Sequence, residues 1–456
     1  MTSGQARNDE SRLTSDSAGA FEVTHRLILS IAVPMTLGFL TTPLLGLVDT
    51  AVVGRLGDAT LLAGLAVGAV VFDLIFVTFN FLRSATTGLV AQAFGRGDRR
   101  AEQTVFWRSM TIALTAGLAT IVLSPLLLSA GLALLDPGDA VAEVTRTYFL
   151  WRILAAPASL ANYTILGYVL GRGQATLGLL LQTLINGVNI VLSITLGLYA
   201  GWGVAGVAIA TLTGEMVGAL IGSVVVVSRF DPTARPTWRE IAERTGLARL
   251  FALNRDIMIR SFVLLAVFLV MTRVGTTFGP VTLAANAVLM TIFLVAGYYL
   301  DGLANAAEQL TGRAIGAQYR PAFERALKMT AVWSFALAAL TTLGFFLFGD
   351  DIVNLLTTAP DVRSIAYAYT PWAALTATTG ALAFLMDGVF IGATWSRDMR
   401  NMMLAAFAIY IAALCAFVPF FGNHGLWASL NLFLLCRGLL LLSRIPRRSA
   451  QTFAAQ

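Results

Sequence analysis

Residues 62–95 read LAGLAVGAVVFDLIFVTFNFLRSATTGLVAQAFG, and residues 283–316 read LAANAVLMTIFLVAGYYLDGLANAAEQLTGRAIG. Laid over one another without a gap, at a constant offset of 221, about ten of the 34 positions are identical. Leu62-Ala63 and Ala66-Val67 match Leu283-Ala284 and Ala287-Val288, Leu82 matches Leu303, and Ala93-Phe94-Gly95 matches Ala314-Ile315-Gly316. The same offset returns further on, where Tyr148, Trp151, Gly167 and Gly171 fall on Tyr369, Trp372, Gly388 and Gly392. Chance similarity between apolar sequences scatters the offsets. A single offset marks an internal repeat of one structural unit.

Composition fixes what that unit is made of. Of 456 residues, 57% are apolar and 12% charged, against roughly 25% charged in an average soluble domain. Apolar segments recur at 27–54, 62–92, 104–132, 148–170, 177–198, 204–227, 255–274, 283–311, 331–348, 367–392, 402–420 and 426–442. Each is near or beyond the roughly 20 residues that cross a bilayer's hydrocarbon as a helix. Continuous Leu/Ala/Val/Gly runs exclude a β-barrel, whose strands alternate apolar and polar positions. The first segment is too long for a signal peptide and lacks a small-residue cleavage site after a short apolar core, so it reads as a retained helix. The polar leader, 1–22, reads as disordered. The expectation is an all-α membrane protein of twelve transmembrane helices in two six-helix repeats.

Arginine sets the orientation, because short loops rich in Lys and Arg stay on the cytoplasmic side. Arg96, Arg99 and Arg100 follow the second segment, Arg229, Arg235, Arg239, Arg244 and Arg249 the sixth, Arg313, Arg320, Arg325 and Lys328 the eighth, and Arg397 and Arg400 the tenth. The opposite loops are poor in Arg or acidic, as at Asp136/Asp139 and Asp350/Asp351/Asp361. With Arg7, Arg12 and Arg26 before the first segment and Arg444, Arg447 and Arg448 after the last, both termini are expected in the cytoplasm, which requires an even helix count. Six helices return the chain to its starting side, so the two halves run parallel about an axis along the membrane normal. The expected organisation is a leader (1–26), an N-terminal lobe (27–228), a basic cytoplasmic linker (229–252), a C-terminal lobe (253–444) and a tail (445–456). The net charge of +6 is a topology signal. No basic stripe interleaved with aromatics points to nucleic acid.

Charge inside hydrocarbon is costly unless it faces a cavity or a partner, so intramembrane polar residues mark a candidate solute pathway. Asp49 lies six residues after Pro43, which removes a backbone donor and is expected to bend the first helix as a hinge. Asp73 and Glu215 fall near the midplane of the second and sixth helices. Asp301, Asn305 and Glu308 share one face of the eighth, and Asp387 lies in the inner half of the tenth. Through the 221 offset, Asp301 and Glu308 correspond to Asn80 and Thr87, with Arg83 between them on the same face. Glu308, close to the expected inner surface, reads as an interfacial polar residue. Each of the other acids has a structural reading beside the functional one, as the partner of an arginine, and Arg83 is at hand. A carboxylate removed from water holds its proton more tightly, which suits it to proton-driven work.

Other chemistries are not written here. No G-x-x-x-x-G-K-[ST] motif occurs, so an ion gradient is the expected energy source. Cys415 and Cys436 sit in apolar segments and read as packed thiols. His25 and His424 lie in or near loops at opposite ends of the chain. No metal or nucleophile-base constellation can be assembled, so neither an enzyme nor a cofactor is expected. Gly167-x-x-x-Gly171 reads as a close helix approach.

Against this background the sequence resembles the multidrug and toxic compound extrusion (MATE) transporters, and within them the DinF-like branch, over roughly 27–442. The resemblance rests on VDTAVVG at 48–54, FLRSATTGLVAQAFG at 81–95, NRDI at 254–257, LAANA at 283–287, LDG at 300–302, GRAIG at 312–316 and DGVFIGAT at 387–394. It implies a V-shaped pair of six-helix lobes around a cavity with alternating access, exporting amphipathic or cationic organic compounds against H⁺ or Na⁺. It implies a bacterial inner membrane, a small-molecule substrate and the lipid bilayer as partners, and no obligate protein partner. Asp49 matches the family's cation-coupling acid in the N-lobe; Asn80, Arg83, Thr87, Asn189, Glu215, Asp301, Asn305 and Asp387 are the accompanying polar set. Many members carry a second acid in a pattern like N-x-x-x-D, where this chain has Asn189 followed by Ser193. That departure favours a proton over Na⁺. A related flippase of lipid-linked precursors would line its cavity with several arginines, and the sequence offers mainly Arg83 against several acids.

Overall fold

The computed structural model describes residues 21–454, so the expectation of a disordered leader falls largely outside the described residues. Sixteen α-helices follow in order. In the first half these are α1 (His25–Gly54), α2 (Ala59–Phe76), α3 (Phe81–Gly95), α4 (Arg99–Val122), α5 (Ser124–Leu135), α6 (Asp139–Ile153), α7 (Ala156–Gly171), α8 (Ala175–Leu192) and α9 (Gly203–Ser228). The second half holds α10 (Trp238–Ile241), α11 (Arg244–Gly275), α12 (Pro280–Gly316), α13 (Arg320–Leu356), α14 (Pro360–Gly392), α15 (Ser396–Leu442) and α16 (Ile445–Phe453). Among the described residues there is no strand.

These resolve into twelve crossings. Ten helical stretches are long and apolar enough to span a membrane, and α6 with α7 forms an eleventh, bent by 52°. The twelfth is hidden in α15, whose 47 residues would stretch about 70 Å, over twice the hydrocarbon thickness. Gly422 breaks it with φ 55° and ψ −129°. Asp398 at its start forms an ion pair with Arg448 beyond its end, so the chain has folded back.

Several crossings differ in detail from their apolar segments. Helices run past the apolar windows at both ends, α13 covering Arg320–Leu356 where the segment was 331–348, because hydropathy marks only the part in hydrocarbon and the helix continues into the interface. α11 takes in Arg244 and Arg249, which were expected in the linker. The third crossing breaks at Leu123, and the second passes through a short 3₁₀ turn, Val77–Phe79. Side-chain caps fix the starts of α2 and α4: Asp58 accepts from the Thr60 N–H at 2.7 Å and Asp98 from that of Ala101 at 2.9 Å, satisfying otherwise orphan donors.

The repeat is visible as matched contacts. A Cβ at Gly167 on α7 would lie 2.6 Å from the Arg83 carbonyl oxygen, and one at Gly388 on α14 would run into that of Ala304. Gly171 and Gly392 meet the carbonyls of Thr87 and Glu308 in the same way. All four pairs are related by the 221 offset. The close approach expected for Gly167 and Gly171 is thus used once in each lobe, as a seat for a neighbouring helix backbone.

The lobes join through α12, which packs on both α1 and α3. At the seam, a Cβ on Gly95 would strike the Arg313 carbonyl and one on Gly316 that of Gln92. Gln92 Nε2 donates to the Gly392 carbonyl at 2.9 Å, and the Arg313 guanidinium lies 4.0 Å from the Phe21 ring and 5.1 Å from Phe94. Both ends of the described residues belong to this end of the bundle: Glu22 pairs with Arg325 and Phe453 packs on Phe323. Toward the other end Thr42, Pro43, Leu44 and Leu47 of α1 are exposed, and the lobes diverge as a V. Cys415 is exposed and Cys436 half-buried. The packed-thiol reading fails for Cys415 because an apolar helix in hydrocarbon can turn any apolar side chain outward.

Candidate functional site

A cavity of about 880 Å³ lies mainly in the N-terminal lobe, walled by α1, α2 and α6 to α9, with Arg83 of α3 and Tyr298 of α12 completing it. That is the size of a drug-like ligand site. Asp49 enters it from the far part of α1, buried, and accepts a hydrogen bond from Ser193 Oγ at 2.8 Å. Ser193 opens a π-helical turn, Ser193–Tyr199, that continues α8; such turns recur at functional sites because they re-aim a side chain. Behind it Asn189 Oδ1 lies 3.1 Å from the same hydroxyl, and Asn189 Nδ2 donates to Thr211 at 2.9 Å. The serine that departs from the N-x-x-x-D pattern therefore stands in direct contact with Asp49.

Two more carboxylates line the cavity. Asp73 on α2 faces the open volume. Glu215 on α9 takes a 2.7 Å hydrogen bond from Asn162 Nδ2, which also donates to the Glu215 carbonyl. Phe39, Phe72, Phe76, Tyr163 and Tyr298 supply rings, the last of them from the other lobe. Pro43 also lines the cavity, and the backbone of α1 stays helical through both Pro34 and Pro43.

Arg152 was missed from the sequence. It ends α6 just before the bend, where Leu154 and Ala155 break the helix and Pro157 restarts it. The break turns its side chain into the cavity, where it donates to the Tyr148 hydroxyl and lies 4.6 Å from the Phe72 ring centroid. A lone arginine inside the fourth apolar segment was the available signal.

The second cluster joins the lobes. Arg83 on α3 donates to Asn305 Oδ1 on α12 at 2.9 Å and to Asn80 Oδ1 at 3.3 Å. Asn305 in turn donates to the Asp301 carbonyl at 2.7 Å. Asn80 and Arg83 reach the cavity wall; Thr87 and Asn305 are buried at the seam, while Asp301 is exposed. Glu308 is 2% exposed and lies beside Thr87, its counterpart in the repeat. Glu308 is thus covered by α3 and not presented at an open surface, on a helix that runs eight residues past it to Gly316.

Asp387 stands apart from both. It is buried in the C-terminal lobe, with Arg260 Nη1 at 2.8 Å and Arg437 in closer contact on the same carboxylate oxygen. Sequence reading offered mainly Arg83 as an intramembrane cation. Arg152, Arg260 and Arg437 are equally internal, and two of them are consumed by Asp387.

The family model described as MatE matches residues 34–195 and 257–417, once in each half. The chain belongs to the MatE family. It is a multi-pass membrane protein of the multidrug and toxic compound efflux type, and its family members are transporters. Within the MatE proteins it is 37% identical to DNA damage-inducible protein F of Escherichia coli over 93% of each chain. The MATE transporter VcmN of Vibrio cholerae in its bent form superposes with a TM-score of 0.86 at 19% identity, covering 94% of this chain and 97% of that one. A MOP superfamily transporter from Pyrococcus furiosus gives 0.84 at 19% identity, covering 93% and 96%. These last two speak to the fold alone.

Proposed function

We propose that this MatE protein is a proton-coupled antiporter that exports amphipathic or cationic organic compounds across a bacterial inner membrane, with both termini in the cytoplasm and Asp49 as the coupling site. The observation that carries this reading is the pairing of Asp49 with the cavity: one buried carboxylate, hydrogen-bonded by Ser193, in a chamber whose other walls hold two carboxylates and aromatic rings. Rings and carboxylates together recognise an organic cation, the rings through their electron-rich faces and the acids through charge. A proton bound at Asp49 removes one negative charge from that chamber and weakens its hold on a cation, so proton entry and substrate release are coupled. The N-terminal lobe (27–228) supplies the chamber, the C-terminal lobe (253–444) closes it through the seam, and Pro43 serves as the hinge of α1. No cofactor takes part.

The test is dissipation of a pH gradient in proteoliposomes or everted vesicles on adding lipophilic cationic dyes. Substrate-triggered proton release by the native protein, lost in Asp49→Asn, is the expected result. A flux driven by Na⁺ gradients, or by lipid-linked precursors with no response to cations, would replace the proton reading by the Na⁺-coupled antiporter or the flippase, and Asp49 would become a structural residue.

A further inference from the structure

The mid-membrane arginines differ in what they touch. Arg83 is held by Asn305 and Asn80, and Arg260 and Arg437 share Asp387. Among the described residues neither Arg83 nor Arg152 forms an ion pair, but Arg83 is held by two side-chain amides and Arg152 by none. Among the described residues Arg152 hydrogen-bonds to the phenol of Tyr148, and its guanidinium rests against Phe72 at 4.6 Å and Tyr148 at 5.4 Å. A guanidinium has five N–H donors in a fixed fork, so most of its donors face open cavity. Stacking on two rings holds the fork in one plane and lowers the entropy lost when a ligand docks on it. The carboxylates of Asp49, Asp73 and Glu215 line the same cavity, yet none forms an ion pair with Arg152.

A chamber with three carboxylates and an open, stacked guanidinium is bipolar. A purely cationic amphipath satisfies the acids and leaves the fork facing water or apolar surface. An aromatic compound that carries a carboxylate as well as a cationic group satisfies both, because a planar carboxylate accepts two parallel N–H bonds from the fork. We propose that Arg152 is the specificity-determining residue of this cavity, and that it selects zwitterionic aromatic amphipaths over the corresponding simple cations. The assignment rests on the export reading above and adds the substrate's second pole.

Two dyes of one ring system separate the poles. Rhodamine 123 is a cationic methyl ester, and rhodamine 110 is the same fluorophore with a free carboxylate. KM for each is measured as ΔpH-driven transport in proteoliposomes, and Kd by fluorescence anisotropy in detergent, for the native protein, Arg152→Gln and Arg152→Lys. The native protein favours rhodamine 110. Arg152→Gln raises the ratio of rhodamine 110 to rhodamine 123, in both KM and Kd, by about tenfold, the size of a lost charge-assisted bidentate contact. Arg152→Lys, which keeps the charge and loses the fork, gives a smaller rise. A ratio unmoved by Arg152→Gln overturns the assignment. Selective binding without transport by the native protein sinks the export reading and leaves Arg152 as the selector.

Discussion

Gly316→Ala tests whether the seam between α3 and α12 is what holds the cavity shut at the end that carries the chain termini. The added Cβ would strike the Gln92 carbonyl oxygen, with the carbonyl carbon at 2.7 Å and Cα at 2.8 Å. Ordinary contact begins at 3.4 Å, so the two backbones must part by at least about 0.7 Å. Gln92 is itself tied to the Gly392 carbonyl, which prevents it from moving alone. Overpacking of this kind costs about 1–3 kcal/mol, and the cost is borne only while the seam is closed. An alternating-access protein escapes it by opening the seam, so the equilibrium shifts toward the opposite-facing state by about 5- to 150-fold. The assay places a single cysteine at Gln182, in the cavity wall, after Cys415 and Cys436 are replaced by serine, and measures labelling by an impermeant maleimide from each membrane face. The native background labels from the face opposite the termini. Gly316→Ala raises labelling from the terminal face, and Gly95→Ala, which strikes the Arg313 carbonyl, does the same. Gly344→Ala, where no atom lies within 4 Å of the new carbon, leaves the pattern alone. Unchanged labelling in both seam variants, with normal thermal stability, would refute the seam as the closing element.

Two further outcomes follow from the polar clusters. Asp387→Asn leaves the guanidiniums of Arg260 and Arg437 buried without their shared counter-charge, and breaking a buried pair in this way costs about 3–5 kcal/mol; thermal unfolding in detergent should fall markedly, and adding Arg437→Met should recover much of the loss. A melting temperature equal to the native one would show that the cluster is relaxed by water. Asn305→Ala removes the acceptor that draws Arg83 across the lobes at 2.9 Å, a charge-assisted bond worth about 1.5–3 kcal/mol at most. In the Gln182 labelling assay it should shift access in the same direction as Gly316→Ala. A shift in the opposite direction would mean that Arg83 holds the lobes apart.

The crossings and their pairing were legible because hydropathy and the 221 offset are one-dimensional signals. The offset paired Gly167 with Gly388, Gly167-x-x-x-Gly171 pointed to a close helix approach, and Asp49, Asp73 and Glu215 stood out as acids in oil. What the pattern could not give was direction. A membrane helix is apolar toward lipid and toward its neighbours alike, so nothing in the periodicity says that Asp73 faces a chamber while Asp387 faces two arginines. Breaks were lost for a related reason: a hydropathy window averages over Leu123 and over the bend after Ile153, and that bend is what presents Arg152. The cover over Glu308 was equally hidden, because a depth counted along the apolar run says nothing of the neighbouring α3 that buries it. Ser193 was read as the lack of an acid; the structure gives it a positive role as the donor to Asp49.

The seam has one more property. Gly95 meets the backbone at Arg313, and Gly316 meets the backbone at Gln92; since 313 − 92 and 316 − 95 are both 221, this is one contact made twice, with the roles exchanged. Contacts of that form are isologous, the kind by which two identical subunits pair around a twofold axis. The two lobes of this single chain therefore meet as a homodimer would. Each helix carries, in a glycine and a carbonyl three residues before it, both sides of the joint.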